Sequence, residues 1–266
     1  MERVALGIAY DGTAYHGWQR QKGVRTVQAE LESALSKIAN GAVTVNCAGR
    51  TDTGVHATQQ VVHFDATVDR TSKAWIEGTN SQLPDDIAVV WMKPVSSDFD
   101  ARHSAQARRY LYIISNEKRR SPIGPRLYAR FFRPLQPQVM HKAAQTLLGE
   151  QDFSSFRSAQ CQALTPFRNI HSITVKQQGS LIFVDITANA FLHHMVRNII
   201  GVLEQVGAGS KPLGWVEDLL QMKDRSRAGK MAPASGLYLI NVIYPDQYQL
   251  PDVPELPHLM GLLSIN

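Results

Sequence analysis

The sequence predicts an α+β fold built as two related halves. Three observations carry this: strand-like and helix-like runs are mixed along the chain, a proline- and glycine-rich stretch interrupts it near the middle, and the order of strands and helices before that stretch loosely recurs after it. At 266 residues the chain exceeds the roughly 150 of one typical domain. Its 44% hydrophobic and 19% charged content excludes global disorder, because enough apolar surface is present to offset chain entropy.

Val4 to Tyr10 reads as a buried strand closed by the turn signal Asp11-Gly12. Thr26 to Ile38 reads as a helix, with Val27, Leu31, Leu35 and Ile38 at helical spacing and Thr26 as its N-cap. Val43 to Ala48 and Gln59 to Ala66 read as strands joined by the loop Gly49 to His56, and Ala74 to Asn80 as a short helix. Ile87 to Lys93 and Arg108 to Ser115 are further strands. Pro122, Gly124, Pro125, Pro134 and Pro137 mark an irregular connection, so the predicted division is an N-terminal half 1–120, a connection 121–139, a C-terminal half 140–245 and a tail 246–266. In the second half Met140 to Gly149 reads as a helix ended by glycine, and His171 to Gln177 with Leu181 to Ala188 as a hairpin around Gln178-Gly179-Ser180. Phe191 to Val206 and Leu213 to Lys223 read as helices, and Leu237 to Tyr244 as the last strand. Two packed halves would leave a cleft, where sites tend to form.

No apolar run approaches the roughly 18 residues of a membrane span, and the N-terminal residues lack the long apolar stretch of a signal peptide. A cytoplasmic chain without membrane association is therefore expected. Cys47 and Cys161 are too few for a disulfide framework, and no C-x-x-C spacing for zinc is present. His56, His63, His193 and His194 fit no H-E-x-x-H or Cys-His ligand pattern, so no metal is expected. Nucleotide-fold loops and the G-x-S-x-G elbow of hydrolases are likewise missing.

The net charge of +5 is unevenly placed. Residues 102 to 133 hold Arg102, Arg108, Arg109, Lys118, Arg119, Arg120, Arg126, Arg130 and Arg133 against Glu117 alone, a local +8 that leaves the rest of the chain at −3. Tyr110, Tyr112, Tyr128, Phe131 and Phe132 are interleaved with these cations. Such a stretch suits a polyanion with stackable bases; the same residues also fit a solvated basic face over ordinary core aromatics.

The densest functional candidate is the loop Gly49-Arg50-Thr51-Asp52-Thr53-Gly54-Val55-His56. Terminal glycines permit a tight backbone path, and the threonines can bond that backbone locally. Taken alone it also reads as a turn with a surface Arg50–Asp52 pair of little energetic weight.

With Ala57 added, that loop resembles the central motif of the TruA family, pseudouridine synthases that modify the anticodon arm of tRNA. Tyr10-Asp11-Gly12-Thr13 with Tyr15-His16-Gly17-Trp18-Gln19 resembles the family's N-terminal signature. Phe99-Asp100-Ala101-Arg102 with Arg108-Arg109-Tyr110-Leu111-Tyr112, then Asp152-Phe153-Ser154-Ser155-Phe156, resemble later blocks. Phe191-Leu192-His193-His194-Met195-Val196-Arg197-Asn198 and Ala232-Pro233-Ala234-Ser235-Gly236-Leu237 complete the order from Val4 to about Tyr244.

The resemblance implies a mixed, mostly antiparallel sheet flanked by helices, with a central RNA-binding cleft, and a reaction that isomerises uridine to pseudouridine at tRNA positions 38, 39 and 40 without a cofactor. It makes Asp52 the catalytic residue, acting at C1′, at C6 or through a glycal; the three routes stay open. Arg197 is implied as the cation beside Asp52, since a carboxylate buried under a base protonates unless a positive charge holds it ionised. Arg50 is implied in flipping the base, a step that costs about a few kcal/mol, Tyr110 in stacking on it, and Leu237 as an apolar wall. Arg70, Arg102, His103 and Gln160-Cys161-Gln162 resemble tRNA-contacting positions, and a homodimer is implied. Each residue has a plainer reading: Arg197 reaching solvent or Glu204, Tyr110 and Leu237 as core, Arg50 on a phosphate, the others as surface. A non-catalytic RNA-binding or RNA-chaperone protein is the rival from another class, against which the joint presence of Asp52, Tyr110 and Arg197 argues.

Overall fold

The computed structural model describes residues 2–119, 122, 124 and 126–251. Arg120 of the basic stretch, Pro125 of the expected connection and residues 252–266 of the expected tail lie outside them. In chain order the strands are β1 (Glu2–Tyr10), β2 (Asn46–Cys47), β3 (His56–Ala66), β4 (Ile87–Val95), β5 (Ala107–Ser115), β6 (Ala129–Arg130), β7 (Gly149–Asp152), β8 (Phe167–Gln178), β9 (Leu181–Ala188) and β10 (Leu237–Ile243). The α-helices are α1 (Val27–Ala39), α2 (Pro137–Ala144), α3 (Met195–Gly207) and α4 (Trp215–Met222). Both units carry antiparallel sheet with helices, the α+β class that the sequence predicts.

The chain forms two compact units, one of residues up to Gln106 together with the chain from Tyr238 onward, the other Ala107–Leu237. The expected connection 121–139 therefore falls inside the second unit. The last strand, expected with the C-terminal half, returns to the first because it pairs in parallel with β3, Tyr238 opposite His56 and Leu239 opposite Ala57.

In the first unit the strand order is β4-β1-β3-β10, with β2 also on β3. β1 is antiparallel to both neighbours, Leu6 facing Val62 on β3 and Met92 on β4. Val4, Ala5, Leu6 and Ile8 are all buried, so this strand is covered on both faces. Along α1 the residues Val27, Leu31 and Leu35 recur at i, i+4 and pack inward. Thr26 precedes the helix as expected, but its side chain makes no capping bond. The expected strand Val43 to Ala48 shrinks to β2 because α1 takes its donors: Val43 N–H bonds Ser36 Oγ at 2.9 Å and Val45 N–H bonds the Glu32 carboxylate at 3.1 Å. The expected helix at 74–80 is present from 72 to 80, its middle, Ala74–Gly78, wound as a π-helix, and it buries Trp75 against Phe64.

In the second unit β5, β9, β8 and β7 lie side by side, antiparallel throughout, and β6 joins β5 in parallel. α2 begins earlier than the sequence predicts, with Pro137 in its first turn where the missing N–H costs nothing. It gives way to a 3₁₀ turn at Gln145–Leu147, and Gly149 opens β7 at φ +85°. α3 begins at Met195, not Phe191, because His194 takes the left-handed conformation at φ 64°. His193, four residues before Arg197, therefore lies in the turn ahead of this helix and not on it. Among the described residues no helix is long and apolar enough to cross a membrane.

Candidate active site

Asp52 sits between β2 and β3 in the first unit, half-buried, on a loop whose backbone is gripped from several sides. Thr51 is buried, and its Oγ1 lies 2.8 Å from the Tyr10 hydroxyl. Its carbonyl accepts the Trp18 N–H at 3.0 Å. Val55 N–H bonds the Asp52 carbonyl at 3.1 Å, and the Gly49 carbonyl accepts from Gln60 Nε2. The Tyr10–Trp18 segment is thus the scaffold of the loop, and its glycines explain how. A Cβ on Gly12 would stand 1.9 Å from the Val55 carbonyl oxygen, and one on Gly17, at φ +83°, 2.7 Å from that of Thr51. Backbone passes backbone here at a separation that no larger residue permits.

At the far end of the loop His56 is buried, its ring stacked on Tyr238 at 4.6 Å. His56 Nδ1 lies 3.0 Å from Asp11 Oδ1 and 3.2 Å from the Gly12 amide. Burial alone would raise the Asp11 carboxyl; bonds from Thr13 and the facing His56 outweigh it and hold it below the usual range. Beside the loop, burial pushes the Cys47 thiol up to about 11, against the lowering influence of Arg50. Arg50 itself is exposed.

Of the other predicted residues in the first unit, Arg70 is exposed, its Nε bonded to the Ile38 carbonyl at 3.0 Å. Arg102 and His103 are exposed on a turn capped by Asp100, whose Oδ1 accepts both of their amides at 2.8 Å. Phe99 is fully buried under this turn, and the Ala101 amide bonds His63 Nδ1 at 3.0 Å.

In the second unit Tyr110 lies on β5, nearly buried at 9% exposure, its ring edge-to-face with Phe191 at 5.1 Å. Tyr112, on the same strand face, is buried and donates to the Pro233 carbonyl at 2.8 Å. Burial raises its phenol well above the ordinary value, opposed by Arg197. Arg197 is half-buried on α3, and its Nε donates to the Ala232 carbonyl at 2.9 Å while the Ala232 amide donates back to the Arg197 carbonyl at 3.0 Å. Gly201, one turn on, makes this approach possible: a Cβ there would meet the Lys230 carbonyl oxygen at 2.0 Å. A guanidinium tied to the 230–232 segment replaces the plainer reading of an arginine turned to solvent or to Glu204. Gly236 similarly lets its segment cross β5, a Cβ there falling 2.6 Å from the Ile113 carbonyl, and Leu237 is buried.

Gln160 and Gln162 are exposed and Cys161 half-buried. Burial alone would raise the Cys161 thiol, but the amides of His193 and Ala163 with the Arg157 guanidinium hold it below its ordinary value. The block Asp152 to Phe156 is structural: Phe153 and Phe156 are fully buried, and Asn198 donates to the Phe156 carbonyl at 2.8 Å.

The basic stretch is partly committed within the fold. Arg109 forms a two-pronged pair with Asp185, Nε–Oδ1 3.0 Å and Nη2–Oδ2 2.7 Å, and Arg108 bonds the Asn189 carbonyl. Lys118, Arg119, Arg126 and Arg133 are exposed. Sequence reasoning missed the Tyr10–Thr51 and His56–Asp11 contacts. The signal available was the density of glycine and polar residues in both motifs, which does not reveal that the two touch.

The sequence that builds these elements is matched by proteins of one class, isomerases that modify RNA. The profile of a family described as tRNA pseudouridine synthase matches residues 7–104 and 143–245. A protein of Shigella boydii serotype 4 (strain Sb227) named tRNA pseudouridine synthase A is 55% identical over 255 residues, covering 96% of this chain and 94% of its own. Proteins of the same name from Shewanella sp. (strain MR-4) and Escherichia coli O1:K1 / APEC are each 55% identical. The first covers 97% of this chain and 99% of its own length, the second 96% and 94%. The chain belongs to the tRNA pseudouridine synthase family.

Proposed function

We propose that this enzyme isomerises the uridines at positions 38, 39 and 40 of the tRNA anticodon stem-loop, with Asp52 as its catalytic residue. The observation that supports Asp52 is its support: a half-buried carboxylate on a loop held at Thr51 and at Val55, each approached closely by a glycine of a distant segment. Holding a reactive group by its backbone fixes the position from which its side chain acts.

The reaction breaks the bond from N1 to C1′, turns the uracil, joins C5 to C1′, and releases the C5 proton while N1 gains one. No electrons leave the substrate. The Asp52 carboxylate acts at C1′, at C6 or in forming a glycal, and Arg197 balances its negative charge; the bond from its Nε to the Ala232 carbonyl anchors that guanidinium. Arg50 assists the uridine out of the stem, Tyr110 stacks on the extruded base with Leu237 beside it, and Arg70, Arg102, His103, Gln160, Cys161 and Gln162 contact the tRNA. The enzyme works as a homodimer in the cytoplasm.

The test uses tRNA transcripts carrying 5-tritiated uridine, since rejoining through C5 sends tritium to water. The parent releases it from transcripts with uridine at 38, 39 or 40, and not when cytidine fills all three. Asp52→Asn abolishes release while filter binding stays at the parent's affinity, because the change removes charge without adding bulk. Tritium release by Asp52→Asn at a substantial fraction of the parent's rate overturns the assignment.

A further inference from the structure

We propose that Phe132 and Arg130 form a stacking platform for an unpaired base of the tRNA. Phe132 is 75% exposed, yet it does not sit on loose chain. The Asn116 side-chain amide donates to the Phe131 carbonyl at 2.9 Å and to the Arg133 carbonyl at 2.7 Å, bracketing Phe132 on both sides. Asn116 Oδ1 accepts the Leu135 amide at 2.8 Å, and the Phe131 amide bonds the Ser115 carbonyl at 3.1 Å. Four hydrogen bonds therefore hold out a ring that an ordinary core would bury.

The ring is also half of a sandwich. The Arg130 guanidinium carbon lies 4.4 Å from the ring centroid, and Arg130 is itself anchored through Nη2 to the Lys118 carbonyl at 2.8 Å. One face of the ring is covered by a cation and the exposed area lies on the remainder. An arginine on one face polarises the ring and leaves the other flat and apolar, the form that a nucleobase stacks upon. Lys118, Arg119 and Arg133 are exposed on the same short stretches of chain, matching the phosphates that accompany any base. The one acidic residue there, Glu117, is engaged by the Ser180 hydroxyl at 2.6 Å. Polyanion charge favours RNA over a protein partner as occupant. The inference rests on tRNA as the ligand but not on the role of Asp52, because affinity alone is read.

The experiment is filter binding of an unmodified tRNA transcript by the full chain over a salt series, for Phe132→Ala, Phe132→Leu and Phe132→Trp. Stacking requires that Ala and Leu each weaken affinity about tenfold at every salt concentration, since no phosphate contact is lost, and that Trp holds the parent's affinity. Thermal melting checks that each variant is folded, and an exposed ring makes little difference there. Equal affinity of Leu and Trp overturns the proposal in favour of apolar packing. Unchanged affinity in all three overturns it outright, as does a loss of dimer on sedimentation of the Ala variant, which would give the ring to a second copy of the chain.

Discussion

The hydroxyls of Tyr10 and Thr51 meet at 2.8 Å, tying the end of the first strand to the residue before Asp52. Both residues are buried, so the pair is shielded from competing water. Tyr10→Phe is expected to lower stability by about 1 kcal/mol, because Thr51 Oγ1 loses a partner. Turnover falls further than tRNA affinity. Tyr10→Phe combined with Thr51→Val regains part of the stability and none of the turnover, measured by urea denaturation and single-turnover tritium release. Full parental turnover in Tyr10→Phe would show that the loop keeps its place without this contact.

Gly17→Ala tests the same brace from the other side. Its φ of +83° and the 2.7 Å approach to the Thr51 carbonyl both oppose a methyl group. The variant is expected to lose turnover severely and about 1 to 3 kcal/mol of stability, whereas Gly23→Ala, also at positive φ but with nothing near the new carbon, loses stability alone.

Tyr110 asks for a different choice of variant than its sequence position does. Because the ring packs edge-on against Phe191 and is nearly buried, Tyr110→Ala is expected to cost about 3 kcal/mol in lost packing, mixing stability with stacking. Tyr110→Phe keeps the ring contact. It is expected to melt and bind tRNA as the parent does and to turn over more slowly, since removing the C5 proton needs an acceptor. Single-turnover rates at the parent's level would leave the hydroxyl without a catalytic part.

Salt dependence of tRNA binding separates the arginines. Arg109 is already held by Asp185, so Arg109→Gln is expected to leave the slope of log affinity against log salt unchanged and to lower stability by up to about 1 kcal/mol. Exposed Lys118 and Arg119 behave otherwise: replacing either by Gln reduces the slope by about one. A lower slope for Arg109→Gln would mean that the arginine leaves Asp185 for a phosphate.

His63 provides a pH signature for folding. Burial lowers its pKa, and its Nδ1 accepts the Ala101 amide, so the folded state favours the neutral ring. Below the unfolded value of ~6.5 the unfolded chain binds the extra proton. The contribution of His63 is therefore whole above that pH and declines as pH falls toward the lower folded value. Urea midpoints at pH 5.5 and 7.5 should differ in the parent and draw together in His63→Gln.

Much of this was legible in residue order. Apolar runs marked β1, β5 and β9, the i, i+4 pattern of Val27, Leu31 and Leu35 marked α1, and the density of glycine, threonine and charge marked the loop 49–56 as a candidate site. These signals are local: a side-chain period or a glycine at a turn acts within a few residues. Short edge strands gave no such signal. β7 reads Gly-Glu-Gln-Asp, polar throughout, and exists because β8 offers it hydrogen-bonding partners.

Tertiary structure decided what sequence separation conceals. Gly12 and Gly17 serve a loop some forty residues away; Gly201 serves the segment at 230–232; Arg109 is neutralised by Asp185; and the chain from Tyr238 returns to β3. In each case the deciding quantity is a distance between atoms that the chain brings together only after its strands have paired. A residue's type and neighbours state what it is able to do, and its through-space partners determine which of those things it does. Arg109 and Arg119 illustrate this: both are cations in one basic stretch, one closed upon a carboxylate and the other facing water.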